Sequence, residues 1–388
     1  MKDITILGAT GSIGVQTLDV VRRHPDHLGV RGLSAHQNAR RLVEQALEFR
    51  PKRVAIGNVN LSGDVAQALE PLDIEVLAGD EGLQTLARCD DADMVVAAIA
   101  GFSGMAPTLA AVEAGIDVAI ANKEAVVCAG PLLMEAAQAT GSRIIPVDSE
   151  HNALFQCLIG ETTAEVERLV LTASGGPFWD RTRSDLKWVT PADALAHPRW
   201  EMGQKISVDS ATMMNKGLEI IEARWLFDIP LDRIEVVVHP QSTVHSMVWF
   251  TDGSIKAQLG ATDMRYAIQH ALSYPARWGD PGYALFSLFG CQLDFARPDE
   301  ERFPCLAMAR EAGVRGGLYP TLLVSADEVA VDAFLKEKIP FTMIADIIRT
   351  TLARWSKPKP KHYDIDAVYD AADWAKKMAA EIVGEVTN

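Results

Sequence analysis

Three short stretches of this 388-residue sequence combine residue types that could do chemistry. The first is Asp148-Ser149-Glu150, which directly follows the apolar run Ile144-Ile145-Pro146-Val147. In an extended segment residues i and i+2 point to the same side, so the two carboxylates can converge. Two such charges repel unless a cation joins them, and hard oxygen ligands select Mg²⁺ or Mn²⁺. The competing reading is ordinary helix capping by Asp148 or Ser149, with Glu150 favoured by the helix dipole.

The second stretch runs from Lys205 to Glu219 and is polar where a helix should be apolar. Asn215 and Glu219, four residues apart, share one helix face. Lys216 flanks them, and Ser210 is a candidate N-cap. Such a face can offer a carboxylate to a metal and neutral or cationic donors to a phosphate. The glycine-rich loop Ser174-Gly175-Gly176 could supply more donors. The alternative for Lys216 and Glu219 is a surface ion pair, worth under about 1 kcal/mol.

The third is Gly8-Ala9-Thr10-Gly11-Ser12-Ile13-Gly14, between an apolar strand and a helical pattern. Glycines three apart let the backbone turn tightly and approach a pyrophosphate, which the helix N-terminus then faces. Thr10 and Ser12 can add hydroxyl donors; the rival reading is a plain tight turn. The next strand ends at Ser34-Ala35-His36-Gln37-Asn38 without the acidic residue that usually holds an NAD ribose. Arg31, His36, Arg40 and Arg41 are nearby, which suits a 2′-phosphate, so NADP(H) is expected over NAD(H). The plainer alternative for these arginines is a solvated helix face. Ala121-Asn122-Lys123-Glu124 also follows a strand. Lys123 there could meet substrate oxygens or the nicotinamide side, or it could simply face solvent at a helix start.

The elements that must position these residues follow a rhythm. Strand patterns at Ile4–Leu7, Val30–Ser34, Arg53–Ile56, Ile74–Leu77, Met94–Ala98, Val118–Ala121 and Ile144–Val147 alternate with amphipathic stretches such as Arg40–Phe49 and Pro107–Ala114. That predicts an α/β fold whose N-terminal part, 1–148, is a Rossmann-like parallel-sheet domain. Strands at Val166–Thr172, Glu235–His239, His245–Phe250 and Ser254–Gln258, with a helix at Ala211–Phe227, predict an α+β catalytic domain with a mixed sheet over 149–274. Phe178–Gln204 reads as a long mobile connection. A linker is expected at 275–299. Helices at Cys305–Ala312, Pro320–Lys336, Phe341–Trp355 and Ala367–Val383 predict a C-terminal helical bundle over 300–388.

Composition narrows the class. A formal net charge of −15 argues against nucleic acid as partner. The five cysteines have neither C-x-x-C pairing nor zinc-ligand spacing, which points to buried packing residues in a reducing compartment. The chain runs straight from Met1 into its first strand, and its most apolar window, Met94 to Ala121, is broken by Glu113 and Asp117. Neither a targeting segment nor a membrane partner is expected, and cytoplasmic residence is.

Together these motifs resemble the 1-deoxy-D-xylulose 5-phosphate reductoisomerase family of the non-mevalonate isoprenoid pathway. The likeness runs through Gly8–Gly14, Ala121–Glu124, Pro146–Glu150, Ala173–Gly176, His197–Trp200, Met202–Glu219 and Pro240–Met247. It implies that Asp148, Glu150 and Glu219 are metal ligands for Mg²⁺, Mn²⁺ or Co²⁺. It implies that Ser174, Ser210, Asn215 and Lys216 contact a substrate phosphate, and that Ser149 and Lys123 touch the substrate near the metal. His197, Trp200 and Met202 would lie in a loop that closes over the substrate, and His245 would belong to the site. Gly8, Thr10, Gly11, Ser12, Ile13, His36, Gln37, Asn38, Asn122, Glu124 and Gly203 would line the NADPH site. A homodimer is implied as well. The sequence departs from the family's usual pattern at His36-Gln37, Gln204 and Ser325-Ala326-Asp327-Glu328.

The resemblance also implies the reaction: metal-assisted skeletal rearrangement of a small phosphorylated sugar, then hydride reduction. Two other readings compete. An aldehyde or semialdehyde dehydrogenase would need a nucleophilic Cys near a His and would ignore a chelator. A non-catalytic NADPH sensor would need no carboxylate cluster.

Overall fold

A computed structural model describes residues 1–200, 202–279, 282–283, 285–356 and 362–387. Residues 280, 281 and 284 of the expected linker lie outside it. Two compact units emerge. The first comprises Met1–Ala125, Pro131–Phe155 and Asp263–Leu285, and the second Val126–Gly130, Gln156–Thr262 and Phe286–Asn388.

The first unit is built on seven strands: β1 (Lys2–Leu7), β2 (Leu28–Ala35), β3 (Arg53–Ile56), β4 (Glu75–Ala78), β5 (Met94–Ala97), β6 (Asp117–Ile120) and β7 (Ile144–Pro146). They form one sheet in the order β4-β3-β2-β1-β5-β6-β7. Every pairing is parallel. Parallel strands covered on both faces read as continuous apolar runs, and Ile4, Ile6, Leu33, Val54, Ile56, Met94 and Val96 are indeed fully buried. Strand order reverses between β1 and β5, so a ligand crevice is expected at the carboxyl ends of those two strands.

One helix of this unit, Met264–Ser273, falls where the sequence reading predicts none. Its N-cap is Asp263, whose side chain accepts from Arg265 N. Its buried Ile268, Ala271 and Leu272 join the core of the parallel sheet.

In the second unit β8 (Val166–Ala173), β9 (Ile234–Val238), β10 (Val244–Phe250) and β11 (Ile255–Leu259) form a sheet in the order β11-β10-β8-β9. β8 and β9 are parallel, and β10 is antiparallel to both β8 and β11, giving the mixed sheet expected. Helices Pro304–Arg315, Tyr319–Leu335, Met343–Arg354 and Ile365–Thr387 complete it. Phe341 bridges Phe334 and Phe178 edge to face, at 5.7 and 5.2 Å, anchoring the residues after the Ser174 loop on the helical core.

Two local expectations need correction. The predicted helix Ala211–Phe227 is two helices, Gln204–Thr212 and Met214–Phe227, broken at Met213 with φ of 62°. Thr212 Oγ1 accepts from Met214 N at 3.3 Å and helps close the break. Ser210 is therefore no N-cap; it lies in the last turn of the first helix, which Gly203 caps. Phe178–Gln204 also carries order: a 3₁₀ turn at Asp185–Trp188 and a helix at Pro191–Leu195 closed by a Thr190–Asp193 capping box.

Candidate functional site

The loop after β1 has the shape a pyrophosphate needs. Gly8 sits at φ +83°, and a Cβ there would lie 2.6 Å from Ala98 O at the end of β5. A Cβ at Gly14 would lie 2.3 Å from Gly8 O. Ser34 Oγ accepts from Gly8 N at 2.9 Å, and Gln45 Nε2 donates to Ala9 O at 2.9 Å. These two buried side chains, which the motif does not include, fix the turn. Helix Ser12–Arg23 starts at Gly11 with no side-chain cap and no acidic residue in its first turn. Its first N–H groups and dipole are thus left for an anion. Thr10, Ser12 and Ile13 lie on this turn.

At the end of β2, His36, Gln37 and Asn38 are exposed. Asn38 Oδ1 accepts from Arg41 N at 3.1 Å and caps helix Ala39–Phe49. Arg40 pairs with Glu44 at 3.0 Å, which favours the solvated-face reading for that residue. Arg31 is bound to Asp3 at 2.5 Å, across from the start of β1, and is withdrawn from any role at the strand end.

The ends of β6 and β7 carry the next group. Asn122 is buried and its side chain is committed to the protein. Oδ1 accepts from Ala125 N, and Nδ2 donates to Gly101 O at 2.9 Å and to Ile99 O. It thereby ties the end of β6 to the loop after β5. Lys123 does not face solvent: its side chain is 13 % exposed and its Nζ donates to Asp148 Oδ2 at 3.2 Å. Glu124 follows in the first helical turn.

Asp148 caps the helix that follows it, and its carboxylate also lies near that of Glu150. Its Oδ1 accepts from Glu150 N at 3.1 Å and His151 N at 3.3 Å, as a cap does. Its Oδ2 faces Lys123, and its carboxylate and that of Glu150 bring oxygens within 4.8 Å of one another. Ser149 Oγ donates to Glu150 Oε2 at 2.5 Å. The sequence reading gives no role to His151. It is fully buried, with Nδ1 3.0 Å from Asp148 Oδ1, and it orients that carboxylate.

In the second unit Ser174 Oγ lies 2.9 Å from His197 Nε2 and accepts from Gly176 N at 3.2 Å. His197 Nδ1 accepts from Arg199 N and Trp200 N at 3.2 and 3.0 Å. The Trp200 ring stands 6.4 Å from that of buried His245. Gly176 presses on helix Gln204–Thr212, where a Cβ would lie 2.6 Å from Ser210 O. So the Ser174 loop and Ser210 adjoin, with Met202 and Gly203 just before that helix.

On helix Met214–Phe227, Asn215 Nδ2 donates to Glu219 Oε1 at 2.6 Å, and Lys216 Nζ donates to Glu219 Oε2. The expectation of a surface ion pair fails here, because the Lys216 and Glu219 side chains are 5 % and 1 % exposed. A carboxylate this deeply buried needs compensating charge, and breaking such a pair costs about 3–5 kcal/mol. Asn215 Oδ1 is buried with no hydrogen-bond partner among the described residues. One helix face thus offers a buried carboxylate, an ammonium and an amide, the donor set anticipated from the sequence.

Residues 4–130 match the family described as 1-deoxy-D-xylulose 5-phosphate reductoisomerase. Residues 144–227 and 259–378 match two C-terminal domain families of the same enzyme. The 1-deoxy-D-xylulose 5-phosphate reductoisomerase of Chloroherpeton thalassium is 50 % identical over 386 residues, covering 96 % of this chain and 99 % of the relative. That of Saccharophagus degradans is 50 % identical over 392 residues, covering 99 % of each. The Zymomonas mobilis enzyme solved in complex with NADPH superposes with a TM-score of 0.92 at 43 % identity, covering 98 % of this chain and 99 % of that one. A DOX-P reductoisomerase solved with NADPH, fosmidomycin and magnesium gives 0.93 at 39 % identity, covering 100 % and 99 %. With half its residues shared along nearly its whole length, the chain belongs to the 1-deoxy-D-xylulose 5-phosphate reductoisomerase family.

Proposed function

We propose that the chain is an NADPH- and divalent-metal-dependent reductoisomerase. It converts 1-deoxy-D-xylulose 5-phosphate to 2-C-methyl-D-erythritol 4-phosphate by skeletal rearrangement followed by hydride reduction, in non-mevalonate isoprenoid precursor biosynthesis. The observation that carries this reading is the helix face of Asn215, Lys216 and Glu219, where phosphate donors and a buried carboxylate lie within five residues.

The residues present fit both helpers. The uncapped helix after Gly11 and the two glycines that tolerate no Cβ suit a dinucleotide pyrophosphate. Asp148, Glu150 and Glu219 offer only carboxylate oxygens, which suits Mg²⁺ or Mn²⁺, and Co²⁺ less well. A bound cation supplies Lewis acidity and NADPH supplies the hydride.

The chain's own residues bind and orient. Ser174, Ser210, Asn215 and Lys216 hold the phosphate, which takes no part in bond changes. Its binding energy fixes the sugar and closes the His197–Met202 loop. Lys123 and Ser149 meet the sugar near Asp148, and Lys123 Nζ is placed to hold or deliver a proton. His245 supports Trp200. Gly8 through Ile13, Asn122, Glu124 and Gly203 form the nucleotide side. His36, Gln37 and Asn38 border the ribose 2′-phosphate.

A homodimer belongs to the same reading. It is supported by exposed Trp249 and Ile255 on β10 and edge strand β11, and by exposed Leu288, Phe289, Leu293 and Phe295. Cytoplasmic residence is part of it too: all five cysteines are free, and no helix among the described residues is long and apolar enough to cross a membrane. The deciding experiment follows NADPH absorbance with the deoxyxylulose phosphate, with and without Mg²⁺ or Mn²⁺. Metal-dependent oxidation is expected, and its absence with every metal would end the proposal.

A further inference from the structure

Lys205, Asp209 and Asp327 form a charged cluster in the second unit that has no role above. Lys205 and Asp209 lie one turn apart on helix Gln204–Thr212, and Asp327 comes from helix Tyr319–Leu335. Lys205 Nζ reaches Asp209 Oδ2 at 2.5 Å and Asp327 Oδ2 at 2.7 Å. Asp209 is 3 % exposed and Asp327 is 0 %. The remaining oxygen of each, Oδ1, is buried with no hydrogen-bond partner among the described residues.

One ammonium does not neutralise two buried carboxylates, and carboxylates that share a site retain a proton. Burial, and then the charge of Asp327, raise the Asp209 carboxyl well above its ordinary range against the opposing pull of Lys205. Among the described residues, neighbouring elements bring no second cation into contact with either carboxylate; Lys376 of helix Ile365–Thr387 is paired with Glu328 at 2.9 Å. From helix Pro304–Arg315 comes Cys305, a thiol pushed up by its own burial and by both carboxylates. Arg349 of helix Met343–Arg354 acts on that thiol. Lys216 of helix Met214–Phe227 is bonded to Glu219. Asp193 of helix Pro191–Leu195 is exposed and held by Thr190.

We infer that Asp209 keeps its proton between Lys205 and Asp327, and that this cluster is a positioning clamp for Ser210, the residue next to Asp209. The inference rests on the assignment of Ser210 to the substrate phosphate. Ser210 and the Ser174 loop are pressed together at Gly176, so a shift of helix Gln204–Thr212 displaces both phosphate-binding elements. A carboxyl held neutral in the fold stabilises it fully below the ordinary carboxylate range, and that stability is lost as pH rises through the raised value. Loss of the proton leaves a net negative charge in a dry site and loosens the two helices.

The test compares the full chain with Asp327→Asn from about pH 5, just above the ordinary carboxylate range, to about pH 9, below the ordinary lysine range. Asn keeps the shape and removes the Asp327 charge that, after burial, holds the proton on Asp209. In the unmodified chain the KM for the deoxyxylulose phosphate should rise several-fold with pH while kcat moves little, and the thermal midpoint should fall. Asp327→Asn should lose both trends. Parallel KM profiles in the two proteins, or a pH dependence carried by kcat, overturn the clamp. If the unmodified chain turns over no substrate, the proposed function fails, and the melting profiles still judge the pair. A midpoint of the unmodified chain that falls relative to that of Asp327→Asn as pH rises supports the retained proton, and a constant difference rules it out.

Discussion

Lys123 Nζ stands 3.2 Å from Asp148 Oδ2, joining the carboxyl ends of β6 and β7, neighbours in the parallel sheet. Each partner is fixed from its own side. Asn122 caps the helix that begins at Lys123, and His151 holds the other oxygen of Asp148. The ammonium therefore sits beside a metal-ligand candidate whose carboxylate is held from its other side. Lys123→Met keeps the length and removes the charge. Its kcat should fall by about 10²-fold or more, the scale of a positioned proton-transfer group. NADPH affinity, read by fluorescence titration, should change little. A near-parental kcat would release Lys123 from the chemistry.

Removing the metal should silence the enzyme reversibly. EDTA is expected to abolish NADPH oxidation, and Mg²⁺ or Mn²⁺ to restore it. Glu219→Gln should have the same effect without rescue, because an amide is a poor ligand for a hard cation. NADPH should still bind this variant, since the nucleotide loop lies in the other unit. Substantial turnover by Glu219→Gln would take that residue out of the metal shell.

The parallel sheet was legible because strands buried on both faces, such as Met94–Ala97, must be apolar throughout. The site was legible where its chemistry is local: Asp148 with Glu150, and Asn215 with Glu219, are fixed by spacing alone. The helix Met264–Ser273 carries a readable signal, since Met264, Ala267, Ile268, Ala271 and Leu272 repeat at helical spacing after Asp263. The break at Met213 does not: no glycine or proline marks it, and a left-handed methionine is chosen by packing. Contacts between distant residues left no trace either. Lys205 meets Asp327 from 122 positions away, and only the fold brings them together.

Cofactor choice tests the end of β2. The KM for NADPH should be lower than that for NADH by about tenfold or more, the effect of one charge-assisted contact to a 2′-phosphate. A clear preference for NADH would end this assignment. The loop itself admits a sharper check. Gly8→Ala places a methyl 2.6 Å from Ala98 O at a φ that favours glycine, so either the turn or the end of β5 must move. NADPH binding should weaken strongly in that variant. Unchanged affinity by titration would mean that the pyrophosphate lies elsewhere.

The loop from Ser174 to Trp200 permits the most specific prediction. Backbone N–H groups can only donate, so the contacts from Arg199 and Trp200 fix His197 Nδ1 as an acceptor. The ring proton then lies on Nε2 and is donated to Ser174 Oγ, which also accepts from Gly176 N. With both bonds accepted, the hydroxyl hydrogen of Ser174 is left to donate toward a phosphate oxygen. Ser174→Ala and His197→Ala should each raise the substrate KM by about tenfold, on the scale of one lost polar contact, and leave the KM for NADPH unchanged. Because the two residues act through one hydrogen bond, the double variant should lose clearly less than the product of the single effects. Multiplicative losses in the KM would show that His197 and Ser174 serve the substrate separately.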